Sequence, residues 1–183
     1  MEPAIIEQLD SLFNPRSVAV IGASDTFGKW GFDLMSCLLE SSPRRRIYPV
    51  NPHIAEMRGM KCYGNVTEIP EPVDFAVITI PSSQVPSAMN DCVRKGITGA
   101  IVITSGFAEM SEEGTKLQAE TVRIARQGGI HFIGPNTMGH FSMASGFITC
   151  PWISGIKRGG IGFISQSGNL GMSTIQSGIE AGI

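Results

Sequence analysis

The stretch Gly22-Ala23-Ser24-Asp25-Thr26-Phe27-Gly28-Lys29-Trp30-Gly31 gathers residue types that hold phosphate. Glycines let an anion approach backbone N–H groups, and a lysine beside them adds a point charge. The apolar run Ser17-Val18-Ala19-Val20-Ile21 ends at Gly22, and Gly31, Leu34, Met35, Leu38 and Leu39 follow at i, i+3, i+4, i+7 and i+8. That spacing predicts a strand, a loop and then a helix, with the loop at the helix N-terminus, where the backbone dipole favours negative charge. The loop departs from G-x-G-x-x-G, because Ser24 stands at the second glycine and Gly28 comes late. Alone, it also fits a plain connecting turn.

A second position narrows the ligand. Folds that bind NAD place Asp or Glu at the end of the second strand to hold the ribose hydroxyls. Here the strand Arg46-Ile47-Tyr48-Pro49-Val50 runs into Asn51-Pro52-His53, with Pro49 suggesting an irregular end. From Lys29 to Lys61 there are six Lys/Arg against three acids, Arg44-Arg45-Arg46 among them. This bias suits a ligand richer in phosphate than NAD, such as coenzyme A with its diphosphate and 3′-phosphate. The arginine triplet fits a solvated turn equally well.

The elements that must position these groups alternate along the chain. Phe75-Ala76-Val77-Ile78-Thr79-Ile80, Ala100-Ile101-Val102-Ile103-Thr104 and His131-Phe132-Ile133 read as further buried strands. Val85, Ala88, Met89 and Cys92 predict a helix closed by Gly96. Ser111 caps another, with Glu112 and Glu113 in its first turn and Leu117, Thr121, Ile124 and Ala125 facing inward before Gly128-Gly129. Apolar strands separated by single helices imply an α/β, Rossmann-type, doubly wound parallel sheet with its ligand at the carboxyl ends of the strands. Five loops of small or turn-forming residues meet there: Gly22-Ala23-Ser24, Asn51-Pro52, Pro81-Ser82-Ser83, Ser105-Gly106 and Gly134-Pro135-Asn136.

After a less regular stretch from about 139 to 157, the pattern restarts. Gly160-Ile161-Gly162-Phe163-Ile164 predicts a strand, Ser165-Gln166-Ser167-Gly168-Asn169 a tight loop, and Met172, Ile175 and Ile179 a helix. One strand and one helix cannot bury a core. The chain is therefore expected to stop inside a second α/β domain, with a first domain over 1–150 and the second beginning at 151–183.

Composition excludes several classes. The 183 residues are 42% hydrophobic and 16% charged with a net charge of −2, which gives no reason to expect a nucleic-acid partner. Met1-Glu2-Pro3-Ala4-Ile5-Ile6-Glu7 lacks the basic region and long apolar run of a secretory signal, and no apolar run approaches a membrane span. Cys37, Cys62, Cys92 and Cys150 are scattered without a C-x-x-C pair, so buried thiols in a cytoplasmic protein are expected, with no metal site. Homo-oligomerisation is left open.

The run Asn14-Pro15-Arg16-Ser17-Val18-Ala19-Val20-Ile21-Gly22-Ala23-Ser24 resembles the opening of the CoA-binding domain of NDP-forming acyl-CoA synthetases, relatives of the succinyl-CoA synthetase α subunit. Gly28-Lys29-Trp30-Gly31, Ile47-Tyr48-Pro49-Val50-Asn51-Pro52, Gly59-Met60-Lys61-Cys62-Tyr63, Ser105-Gly106-Phe107 and Gly134-Pro135-Asn136 extend the resemblance. Ile164-Ser165-Gln166-Ser167-Gly168-Asn169-Leu170-Gly171 is similar to the phosphate loop opening that family's second, flavodoxin-like domain. Seven motifs hold order and spacing from about Leu12 to Ile183.

The resemblance implies synthesis of acyl-CoA from an acid, CoA and ATP through an acyl-phosphate and a phosphohistidine, releasing ADP and phosphate. It implies CoA contacts from Gly22, Ala23, Ser24, Gly28, Lys29, Asn51, Pro52, Ile80, Pro81, Ser105, Gly106 and Phe107, with Asn136 shaping the loop near the thiol. Gln166, Ser167 and Gly168 match the loop that receives the phosphohistidine phosphate. The family's lysine after Asn-Pro is His53 here, so Lys29 or an arginine would have to take over that contact. The phosphohistidine itself is expected beyond residue 183, which excludes His140. ATP/ADP and Mg²⁺ are expected only with a missing ATP-grasp domain or subunit. The rival expectations are a CoA-sensing regulatory region, such as the synthetase-like part of a protein acetyltransferase, and an NAD(H)-binding redox sensor.

Overall fold

The computed structural model describes residues 3–182. A helix absent from the sequence reading, α1 (Pro3–Phe13), leads into β1 (Ser17–Ile21). The next helix, α2 (Trp30–Ser41), returns to β2 (Arg46–Val50), and a tight hairpin follows, β3 (Glu56–Met57) and β4 (Met60–Lys61). Then come β5 (Phe75–Ile78), α3 (Val85–Lys95), β6 (Gly99–Val102), α4 (Glu112–Gln127) and β7 (His131–Ile133), alternating as the apolar runs dictate. Beyond them lie a second hairpin, β8 (Phe141–Ser142) and β9 (Phe147–Ile148), and α5 (Gly168–Glu180).

Five strands form one parallel sheet in the order β2-β1-β5-β6-β7. Because side chains alternate across a strand, Val18 and Val20 face one side and Ala19 and Ile21 the other. The first side packs Val77 and Ile101 against Leu12 of α1 and Leu34, Met35 and Leu38 of α2. The second packs Ala76, Ile78 and Val102 against Val85, Met89 and Cys92 of α3 and Ile124 of α4. Helices on both faces make the sheet doubly wound.

The outer edge completes the Rossmann order. Tyr63 bridges Val50 in parallel, donating its N–H to Pro49 O at 3.0 Å and accepting from Asn51 N–H at 2.9 Å. Counting that bridge as a rudimentary strand, the order reads 3-2-1-4-5-6. The β3–β4 hairpin replaces the crossover helix that normally precedes the third strand. Pro49 therefore sits inside β2 rather than ending it. Its carbonyl points outward to Tyr63, so its missing N–H falls on the side away from β1.

Three expectations need correction. Gly160-Ile161-Gly162-Phe163-Ile164 is no strand: no other strand lies beside it among the described residues, and Ile161 and Ile164 are 73% and 96% exposed. Without ladder hydrogen bonds an apolar run has nothing to hold it as sheet. His131 does not begin a buried strand, because β7 is a three-residue edge strand whose histidine is exposed. Cys37 is only half-buried, whereas Cys62, Cys92 and Cys150 are buried, and all four are free thiols.

Candidate functional site

At β1 the strand order reverses, with β2 on one side and β5 on the other. Such a switch point opens a crevice at the carboxyl ends of the strands. Here a cleft of about 310 Å³ lies at that edge, and Ile80, Pro81, Ser105 and Asn136 of the anticipated residues line it. Trp30, Thr79, Ile103, Thr104, Thr137 and Met138 complete its walls. No charged side chain is among the ten. Thr79 and Ile80, like Ile103 and Thr104, read as strand in sequence, but β5 and β6 stop at Ile78 and Val102. A threonine near the end of each apolar run was the available signal.

Gly22 and Gly31 shape the first loop. Gly22 has φ +95°, and a Cβ there would stand 2.5 Å from Thr79 Oγ1. A Cβ on Gly31 would stand 2.0 Å from Gly22 O, so only glycine lets α2 begin so close to the turn. Ala23 and Ser24 are buried, and Ser24 Oγ accepts from Thr26 N–H at 3.0 Å. Gly28 and Lys29 are exposed, with Lys29 at the N-cap of α2 and offering no side-chain cap. Lys29 is thus exposed at a helix start that no side chain caps.

Asn51 ties two loops together. Its Nδ2 donates to Ala23 O and its Oδ1 accepts from His53 N–H, each at 2.9 Å. The amide is committed to bracing, and Pro52 and His53 beside it are exposed. Phe107 is fully buried in the core, so its side chain cannot touch a ligand. Its N–H and that of Gly106 are held by Glu109 Oε1 at 3.2 and 2.7 Å. Slight burial pushes the Glu109 carboxyl up, but these backbone donors more than offset it and leave it below its usual range.

The basic residues divide by position. Arg46 opens β2 beside Ser17 at the start of β1, so the arginine triplet lies at the amino edge, opposite the cleft. Arg45 is structural: it donates to Pro15 O, Ser145 O and Gly146 O and lies 5.1 Å over the Phe147 ring. The triplet therefore gives no support to a phosphate-rich ligand. Arg58, at the tip of the β3–β4 hairpin, is the arginine that does reach the first loop. Its guanidinium stands 3.4 Å from Asp25 Oδ1 and 4.8 Å over the Phe32 ring.

Gln166, Ser167 and Gly168 are exposed at the start of α5, where Ser167 Oγ caps the helix by accepting from Leu170 N–H. A Cβ on Gly168 would lie 2.6 Å from Met138 Sδ, so this loop abuts a wall of the cleft. His140 lies outside the cleft lining, with both ring nitrogens engaged. Its Nε2 donates to Leu12 O at 2.7 Å, its Nδ1 stands 3.0 Å from Thr149 Oγ1, and Phe13, Phe75 and Phe147 surround the ring. Burial pushes its pKa down to about 4, with the Leu12 carbonyl opposing.

These features define a doubly wound α/β domain with a ligand cleft at its switch point. Residues 16–142 match the CoA binding domain family, and the chain belongs to that family. It is 44% identical over 164 residues to an ADP-forming acetate–CoA ligase II of Archaeoglobus fulgidus, a match covering 89% of this chain and 24% of the relative. It is 40% identical over 179 residues to the α subunit of the Pyrococcus furiosus ADP-forming acetate–CoA ligase II, covering 96% and 38%. The apo structure of the dinucleotide-forming acetyl-coenzyme A synthetase 1 of Ca. Korarchaeum cryptofilum superposes with a TM-score of 0.89 at 36% identity, covering 96% and 38%. The chain thus corresponds to the CoA-binding portion of ADP-forming acyl-CoA synthetases, and it spans less than two fifths of the length of these relatives. No helix among the described residues is long and apolar enough to cross a membrane.

Proposed function

We propose that this chain binds coenzyme A in the switch-point cleft and serves as the CoA-binding portion of an ADP-forming acid–CoA ligase. The observation that carries the reading is the uncharged cleft with Lys29 at its helix entrance and Asn51, not an acid, directly after β2. Asn51 sits where a dinucleotide fold would present its ribose-binding carboxylate, and its amide is spent on Ala23 and His53. The family match favours this reading over the redox alternative, and the similarity to relatives named as CoA ligases favours it over the regulatory one.

In this reading Gly22, Ala23, Ser24, Gly28 and Lys29 face the phosphates, and Ile80, Pro81, Ser105, Gly106 and Asn136 face the rest of the ligand. Phe107 contributes only its backbone. Glu109 must release the Gly106 and Phe107 N–H groups before any ligand anion can use them. Gln166, Ser167 and Gly168 would receive a phosphoryl group carried by a histidine outside this chain. The full reaction joins an acid to CoA at the expense of ATP, through an acyl-phosphate and a phosphohistidine, in the cytoplasm. ATP, ADP and Mg²⁺ belong to an ATP-grasp domain or subunit, and residues 151–183 to the following domain.

Calorimetric titration with CoA, NAD and ATP tests the reading. CoA is expected to bind most tightly of the three. Equal or tighter binding of NAD would assign the cleft to a dinucleotide.

A further inference from the structure

Trp30 and Trp152 are the only tryptophans of the chain, and neither belongs to the two packed cores. Their rings meet edge to face, with centroids 4.4 Å apart and planes at 75°. They remain 36% and 47% exposed. Large aromatic surface left this open is a favourable contact face for a ligand. Trp30 lines the switch-point cleft. Trp152 lies ten residues beyond the end of the family match at 142, and it walls a separate groove against α5 with Met172, Ile175 and Ile179. The pair is therefore a direct contact between the cleft and the segment that follows the CoA-binding domain.

The chemistry of the cleft decides what Trp30 faces. Its walls combine hydroxyl and amide groups, from Thr104, Ser105 and Asn136, with apolar surface from Ile103 and Met138, and no formal charge. Buried without a counter-charge, a phosphate would be costly there. A flexible, uncharged chain carrying amides fits both kinds of surface. The cations that remain near this edge, Lys29 and Arg58, lie outside the lining.

We propose that Trp30 contacts the uncharged pantetheine arm of CoA, and that Trp152 positions the Trp30 ring so that the following segment is coupled to occupancy of the cleft. This rests on the proposed CoA binding. Trp30 is the contact residue; Trp152, absent from the cleft lining, is the positioning residue. The Trp30 ring is held in one orientation by the edge-to-face contact, which spares the ligand the cost of ordering it.

The test compares CoA with adenosine 3′,5′-bisphosphate, which keeps much of the nucleotide end but lacks the arm. Titrations use the full chain, with folding checked by circular dichroism. Trp30→Ala is expected to weaken CoA at least tenfold and the bisphosphate less than twofold. Trp152→Ala is expected to weaken CoA by a smaller factor and spare the bisphosphate in the same way, and Trp152→Phe is expected to restore most of the loss. With Trp152→Phe, Trp30 is the sole tryptophan emitter, and its fluorescence should respond to CoA but not to the bisphosphate. Equal losses for both ligands, or a Trp30 signal that answers both alike, would overturn the assignment to the arm. Full CoA affinity in Trp30→Ala would do so too. Failure of the unsubstituted chain to bind CoA is a different result: it would remove the proposed function, and the inference with it.

Discussion

Two side chains show how far local environment decides chemical role. Lys29 stands exposed at the uncapped start of α2, and its ammonium makes no ion pair among the described residues. Lys29→Ala is expected to weaken CoA by roughly 1–3 kcal/mol in a calorimetric titration, the scale of a charge-assisted hydrogen bond. Unchanged affinity would return Lys29 to the solvated surface. His140 has the opposite fate, with both ring nitrogens engaged within an aromatic cage. A carbonyl can only accept, so Nε2 carries a proton, and burial keeps the ring neutral against the pull of that carbonyl. Its folded pKa, about 4, lies below the ordinary 6.5, so the unfolded chain takes up the proton first as pH falls. Stability from this group is complete above pH 6.5 and declines toward pH 4, by an amount on the order of 2–3 kcal/mol. Urea unfolding at pH 7 and pH 5 should show the wild-type loss exceeding that of His140→Gln. Equal losses would mean that carboxylates alone set the slope.

Among the elements, the sheet was the most legible part of the sequence, because uninterrupted apolar runs such as Phe75–Ile78 can only be buried on both faces. The caps were legible for the same local reason: Ser111 accepts from Gly114 N–H, and Gly96 closes α3 at φ +80°. The two hairpins were not. Their strands have two residues each, too short for a period of two to register, and only the pair Arg58 (φ 52°) and Gly59 (φ 75°) marks the first turn. Helix α1 was not legible although Leu9 and Leu12 repeat at helical spacing, because no Ser, Thr, Asp or Asn precedes Pro3 to mark a helix start. Within the candidate site, the loops were readable from their glycines, but the cleft lining was not. Whether Thr79 or Thr104 stays in a ladder or turns into a crevice depends on its neighbours across the sheet. The close approach of α2 to β1 gives an element-scale prediction. Gly31→Ala should destabilise the fold by roughly 1–3 kcal/mol in chemical denaturation, since its Cβ meets a backbone oxygen that cannot rotate away. A neutral result would show that α2 shifts freely along the sheet.

At the scale of the whole molecule, the switch-point cleft lies next to the exposed loop that opens α5. The chain alone is expected to make no acyl-CoA from acid, CoA and ATP in a coupled ADP-release assay. In a full-length ligase of the proposed kind, His140→Asn should leave phosphoenzyme formation intact. Acid-labile label on His140 would show that the chemistry has been misplaced. The bridge from Tyr63 to β2 has a further consequence. A parallel sheet exposes a row of unsatisfied donors and acceptors along each outer strand, a template on which a second chain can assemble. On β2 that row is interrupted twice: Tyr63 occupies the groups of Pro49 and Asn51, and the proline ring removes a donor that would otherwise face outward beside them. At the opposite margin, β7 is only three residues long. Neither margin offers a run long enough to nucleate strand addition, so the sheet is guarded against intermolecular aggregation while its carboxyl edge stays open to solvent.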